Sequence, residues 1–148
     1  FSVVLSGDFV IASDKAKFVS AYTSSGLTPD GSSTYYLAKH VGLLRAKELM
    51  LTNRVLTADE AQAWGLVNKV VPTETVIDEA RAIAQCIASG PTKAFGGVKR
   101  LLDTAFSDGL ETQLDRETRS IADMMRTTDG PVGIAAFLAK ETPRFEGE

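Results

Sequence analysis

Internal disulfides and metal centres built from several thiolates are out of reach for this chain, and long apolar runs are missing. Cysteine occurs once, as Cys86, which excludes an internal disulfide and a metal site built from several thiolates. A lone thiol suits a reducing, cytoplasmic setting. Histidine also occurs once, as His40. No apolar run approaches the length of a membrane span, so no membrane partner is expected. Neither sign of charge dominates: 16 Lys and Arg stand against 19 Asp and Glu, a net −3. That balance argues against nucleic acid as a partner, because gripping a phosphate backbone needs a basic surface. Met and a basic segment are both missing from the start, where Phe1-Ser2-Val3-Val4-Leu5 reads as the inside of an element. The expectations are that no signal peptide is present and that the chain is the rear part of a longer protein. Repeats and low-complexity stretches are missing too.

What is there is 148 residues of ordinary apolar content, enough for one ordinary globular domain. Residues 1–5 read as the end of a buried helix, stopped by Gly7-Asp8. Phe9-Val10-Ile11-Ala12 reads as a buried strand, and residues 17–22 alternate as a second. A helix is expected over residues 31–41, broken by Gly42 and followed by a short amphipathic helix over 43–51. Thr57 and Glu60 form a capping box, and Gly65 ends the helix it starts. Residues 66–71 read as a strand closed by Pro72. Thr73 is expected to cap a long helix to about Ala88, with Cys86 packed in its apolar stretch. Gly90-Pro91 stops that helix. Helices are expected over 92–106, 109–126 and 131–141, ahead of an irregular tail. The fold class is therefore α/β and lopsided, with strands in front and helices behind. Leu110, Leu114, Ile121 and Met125 form a stripe that suggests contact with other subunits.

Between these halves lies Gly26-Leu27-Thr28-Pro29-Asp30-Gly31-Ser32-Ser33-Thr34. Pro29 fixes its own φ, and Pro and Gly flank the Asp30 carboxylate. An acid where a tight turn meets a helix start is either a helix cap or a catalytic carboxylate.

Read in order, the segments resemble the crotonase family, the enoyl-CoA hydratase/isomerase superfamily. The carrying residues are Ala12-Ser13-Asp14-Lys15-Ala16-Lys17-Phe18, Gly26-Leu27-Thr28-Pro29-Asp30-Gly31 and Val41-Gly42-Leu43-Leu44-Arg45-Ala46-Lys47-Glu48-Leu49. Leu51-Thr52-Asn53-Arg54 follows, then the most specific run, Ala58-Asp59-Glu60-Ala61-Gln62-Ala63-Trp64-Gly65-Leu66-Val67-Asn68-Lys69-Val70-Val71-Pro72. Gly133-Ile134-Ala135-Ala136-Phe137-Leu138-Ala139-Lys140 and Pro143-Arg144-Phe145 mark the end. The resemblance implies a spiral of ββα units, of which residues 1–72 are the rear part with the acyl-pocket loop. Residues 73–148 are then a helical oligomerisation region, building a homotrimer or hexamer. It implies an acyl-CoA thioester as substrate, with coenzyme A carried as part of it and no separate cofactor, in fatty acid metabolism. Two backbone N–H groups hold the thioester oxygen as its enolate forms. Both are expected before residue 1.

The resemblance also sorts the chemistry. Hydratases of the family carry two glutamates, and the matching positions here are Ser2 and Tyr22. Neither replaces a carboxylate in acid–base work, so a two-glutamate hydratase is not expected. Asp30 matches the acid–base aspartate of family isomerases, which moves a proton along an enoyl-CoA chain. It also matches the nucleophile of the 4-chlorobenzoyl-CoA dehalogenases, which carry a tryptophan where Tyr22 stands. Isomerisation is the first expectation and dehalogenation the alternative. A non-catalytic fragment or oligomerisation module is the third. Ser2, Tyr22, Pro29 and Gly31 are expected to line the substrate pocket, with Ser2 a small spacer. Tyr22 lines the acyl pocket, hydrogen-bonds to Asp30, or simply closes a strand end. Phe137 and Lys140 are expected to reach the CoA moiety by covering adenine and pairing with phosphate, against the alternative of an ordinary helix face. No metal is expected, because no ligand cluster is spelled out.

Overall fold

The computed structural model describes residues 1–148. The chain divides into two compact units, Phe1–Ala80 and Arg81–Glu148.

The first unit carries all the strands. β1 (Ile11–Ser13) lies parallel to β4 (Lys69–Val71), with Ala12 opposite Val70. The Asn68 side chain extends this pairing, since its Oδ1 accepts from Val10 N at 2.7 Å. β2 (Lys17–Phe18) lies antiparallel to β3 (Leu56–Thr57), with Phe18 opposite Leu56. The second strand is shorter than the alternation over residues 17–22 predicts. Its partner offers only two residues, and the chain then turns into a 3₁₀ turn at Thr23–Ser25. β1 likewise starts two residues later than expected, leaving Phe9 exposed. Residues 1–5 end in a 3₁₀ turn, Val4–Ser6, that buries Ser2 and Leu5.

Helix α1 (Ser33–Thr52) is interrupted at Gly42, whose φ of 78° and ψ of 164° are not helical. A Cβ there would meet nothing within 4 Å, so the position calls for glycine by conformation and not by space. On either side of the break, Leu37 and then Ala46 and Leu49 turn to one core. Leu37, Leu49 and Leu56 are its largest fully buried side chains. Each contributes roughly 1.5–3 kcal/mol by leaving water. α2 (Ala58–Ala63) opens on the predicted capping box: Thr57 Oγ1 accepts from Glu60 N, and Glu60 Oε2 accepts from Thr57 N at 2.9 Å. The Arg54 guanidinium pairs with Glu60, and Arg45 and Arg54 lie over the Trp64 ring at 4.7 and 5.4 Å.

α3 (Val76–Ala88) starts later than the sequence predicts, and Thr73 does not cap it. Thr73 begins a 3₁₀ turn instead, and its hydroxyl lies 2.5 Å from Ser13 Oγ and 3.3 Å from Asp14 Oδ1. A tertiary partner at the end of β1 has won over the local cap. Cys86 is exposed, contrary to expectation, because it sits about a quarter-turn off the stripe of Val76, Ala80, Ile83 and Ile87.

The second unit is helical, as predicted: α4 (Thr92–Thr104), α5 (Leu110–Met124) and α6 (Asp129–Ala139). Gln113 on α5 closes the end of α4, donating to Leu101 O and accepting from Thr104 Oγ1, both at 3.1 Å. The tail is irregular but held. The buried Asp129 carboxylate accepts from Glu146 N at 2.8 Å and Gly147 N at 2.9 Å. Leu110, Leu114, Ile121 and Met125 are all exposed.

Candidate active site

Three segments distant in sequence meet around Asp30. The first is the N-terminal turn, which buries Ser2. The second follows β2, where Tyr22 precedes the 3₁₀ turn that Gly26 closes with a φ of 72°. The third is the loop into α1. There Gly31 and Ser32 take positive φ of 58° and 63°, and the chain doubles back so that Asp30 O accepts from Ser33 N at 3.1 Å and Ser33 Oγ at 2.8 Å. Asp30 thus supports the helix start with its carbonyl. The cap position itself is Ser32, which makes no side-chain cap bond.

The Asp30 carboxylate is engaged elsewhere. Tyr22 OH donates to Asp30 Oδ1 at 2.8 Å, and Ser2 Oγ lies 3.1 Å from the same phenol oxygen. Ser2 Oγ is also 3.4 Å from Asp30 O. The result is a line of three oxygens, from a buried serine through a half-buried tyrosine to an exposed carboxylate. Asp30 Oδ2 keeps no partner from the chain. An aspartate so held has one oxygen anchored and one available to take or give a proton, or to attack.

Gly31 is packed against this group. A Cβ on it would stand 3.2 Å from Ser2 Cβ and 3.6 Å from Ser2 Oγ. Pro29 is half-buried just ahead of the carboxylate. The structure therefore brings Ser2, Tyr22, Asp30 and Gly31 together. Phe137 and Lys140 stand in the other unit, at the end of α6. Phe137 is 82% exposed, and Lys140 caps the helix with a φ of 57°.

The supports for this arrangement are residues that sequence reasoning missed. Thr23 Oγ1 donates to Met50 O at 2.7 Å and lies 3.0 Å from Asn53 Oδ1, which also accepts from Ser24 N. The end of α1 thereby holds the turn that presents Tyr22. An asparagine following a helix, here with a φ of 52°, is the signal that could have found it. His40 serves the fold as well, with Nε2 3.0 Å from Leu5 O and its ring stacked on Tyr36. No group of three or more His, Cys, Asp or Glu side chains is gathered as a metal site. No helix is long and apolar enough to cross a membrane.

A family model described as enoyl-CoA hydratase/isomerase matches residues 1–148. The chain is 39% identical over 147 residues to the 1,2-epoxyphenylacetyl-CoA isomerase of Escherichia coli K12, covering 99% of this chain and 56% of the relative. It is 35% identical over 137 residues to 4-chlorobenzoyl coenzyme A dehalogenase-1 of an Arthrobacter species, covering 93% and 50%. A solved enoyl-CoA hydratase/isomerase from Cupriavidus metallidurans CH34 superposes with a TM-score of 0.92 at 36% identity, covering 99% of this chain and 55% of the other. The chain spans about half the length of these two curated relatives.

Proposed function

The chain belongs to the enoyl-CoA hydratase/isomerase family, and on that premise we propose that the protein acts on acyl-CoA thioesters and moves a double bond along an enoyl-CoA chain, with Asp30 as acid–base. The observation that carries this reading is the Tyr22–Asp30 hydrogen bond, which anchors Oδ1 and leaves Oδ2 without a partner from the chain. In a 3-enoyl-CoA, Oδ2 takes a proton from C2. The electron pair spreads into the thioester as a dienolate, and the same proton returns to C4. Atoms and charge balance with no other reactant. The charge that develops on the thioester oxygen needs backbone N–H donors, which the family resemblance puts ahead of residue 1. Hydration by paired glutamates is disfavoured, because serine and tyrosine hold both positions.

A second reading has its own support. A carboxylate held by a phenol donor also suits nucleophilic attack, and a dehalogenase is among the relatives. The two separate in one assay of the complete natural protein and its Asp30→Ala variant. Double-bond migration in 3-enoyl-CoA that falls by orders of magnitude in the variant supports the first reading. Chloride release from 4-chlorobenzoyl-CoA supports the second. Equal activity of parent and variant removes Asp30 from both.

The proposal extends to the rest of the chain. Phe137 and Lys140 are exposed and can serve a CoA moiety through ring stacking and phosphate pairing. The exposed stripe of α5 can seat further copies of the chain in a trimer or hexamer.

A further inference from the structure

Ser2 sits behind the Tyr22–Asp30 pair with 8% of its surface exposed. Its hydroxyl has two neighbours, Tyr22 OH at 3.1 Å and Asp30 O at 3.4 Å. Proton counting decides between them. Tyr22 OH donates to Asp30 Oδ1 at 2.8 Å, so the single phenol proton is spent there. The phenol oxygen is then an acceptor on its other side, and Ser2 is the donor that reaches it. The Asp30 carbonyl is the longer branch and already takes two donors from Ser33.

A phenol O–H rotates readily about its C–O bond when nothing holds the oxygen. Here it is held from both sides, and in one direction only. Gly31 keeps the arrangement tight, because a side chain there would press on Ser2. The line is assembled from residues 20 and 8 positions apart, so no local preference explains it.

We propose that Ser2 is a positioning residue: it donates to the Tyr22 phenol oxygen, aims the phenol proton at Asp30 Oδ1, and so leaves Oδ2 for the substrate. This rests on the acid–base reading of Asp30 and adds to it a residue that acts through Tyr22.

The test is a double-mutant cycle on 3-enoyl-CoA isomerisation by the complete natural protein, with Ser2→Ala, Tyr22→Phe and both together. The expected result is a roughly fivefold lower kcat in Ser2→Ala with KM unchanged, the size of one hydrogen bond. The same substitution costs nothing further once Tyr22 is Phe. A loss that persists in the Tyr22→Phe background, or no loss in either, overturns the proposal. A second measurement is independent of turnover: the ¹³Cζ signal of labelled Tyr22, which is expected to move in Ser2→Ala. If Asp30→Ala leaves activity intact, the acid–base reading has failed by itself. The tyrosine signal then decides alone whether Ser2 holds Tyr22, and a signal that stays in place overturns the inference.

Discussion

Asn53 Oδ1 lies 3.0 Å from Thr23 Oγ1, joining the end of α1 to the turn that carries Tyr22. The threonine hydroxyl donates to Met50 O, and the asparagine takes Ser24 N at 3.3 Å, so removing the amide leaves the Ser24 backbone N–H without its acceptor. Asn53→Ala is expected to cost about 1–2 kcal/mol of stability, measured by urea unfolding. Because the turn loosens, turnover is expected to fall as well, with KM following kcat less than in Asp30→Ala.

Gly31 and Gly42 both have positive φ but for different surroundings. A side chain at Gly31 would meet Ser2 at 3.2 Å, whereas one at Gly42 would meet nothing. Gly42→Ala is therefore expected to destabilise the fold by about 1–3 kcal/mol through backbone strain alone, with the activity of the folded fraction unchanged. Gly31→Ala is expected to lower activity in the folded fraction too. Activity normalised to folded protein by circular dichroism separates the two outcomes.

Glu60 makes stability depend on acid. The backbone N–H and then the hydroxyl of Thr57, with the Arg54 guanidinium beside them, hold its carboxyl below the usual 4.5. A carboxyl lowered in the folded state stabilises at and above the pH where the unfolded chain ionises. That contribution is lost as pH falls below about 4.5 through the folded-state value. Glu60→Gln keeps the capping box but removes the charge. The parent is expected to melt higher than the variant at neutral pH, and the gap is expected to close as pH drops below 4.5. A gap that stays constant with pH would show that the charge contributes nothing.

The α5 stripe is expected to be an interface between copies. Ile121 is 68% exposed, and its neighbours along the helix face are apolar and exposed too. Ile121→Glu would place a charge in the middle of any such contact, at a cost of several kcal/mol if buried. In the complete natural protein, sedimentation velocity is expected to show a trimer or larger for the parent and smaller species for the variant. An unchanged mass in the variant rules this face out.

Much of the backbone was legible because its signals are local. Gly42 breaks α1, Thr57 and Glu60 start α2, and Gly65 ends it with a φ of 79°, each as its residue type requires. Membership of the family was legible in the same way, from short runs in a set order. Thr73 shows where local reasoning stops. Its hydroxyl had a helix start nearby, but folding brought Ser13 and Asp14 closer.

By itself, the sequence determined where helices begin and end, which family the segments resemble, and that a carboxylate stands in a turn between Pro29 and Gly31. Tertiary structure alone decided which groups meet that carboxylate. Residue type sets the preferred backbone at a few neighbouring positions. The partners of a side chain depend on which distant segments share the core. Ser2 and Asp30 lie 28 positions apart, and only the packing of the N-terminal turn against the loop before α1 brings their oxygens to either side of the Tyr22 phenol.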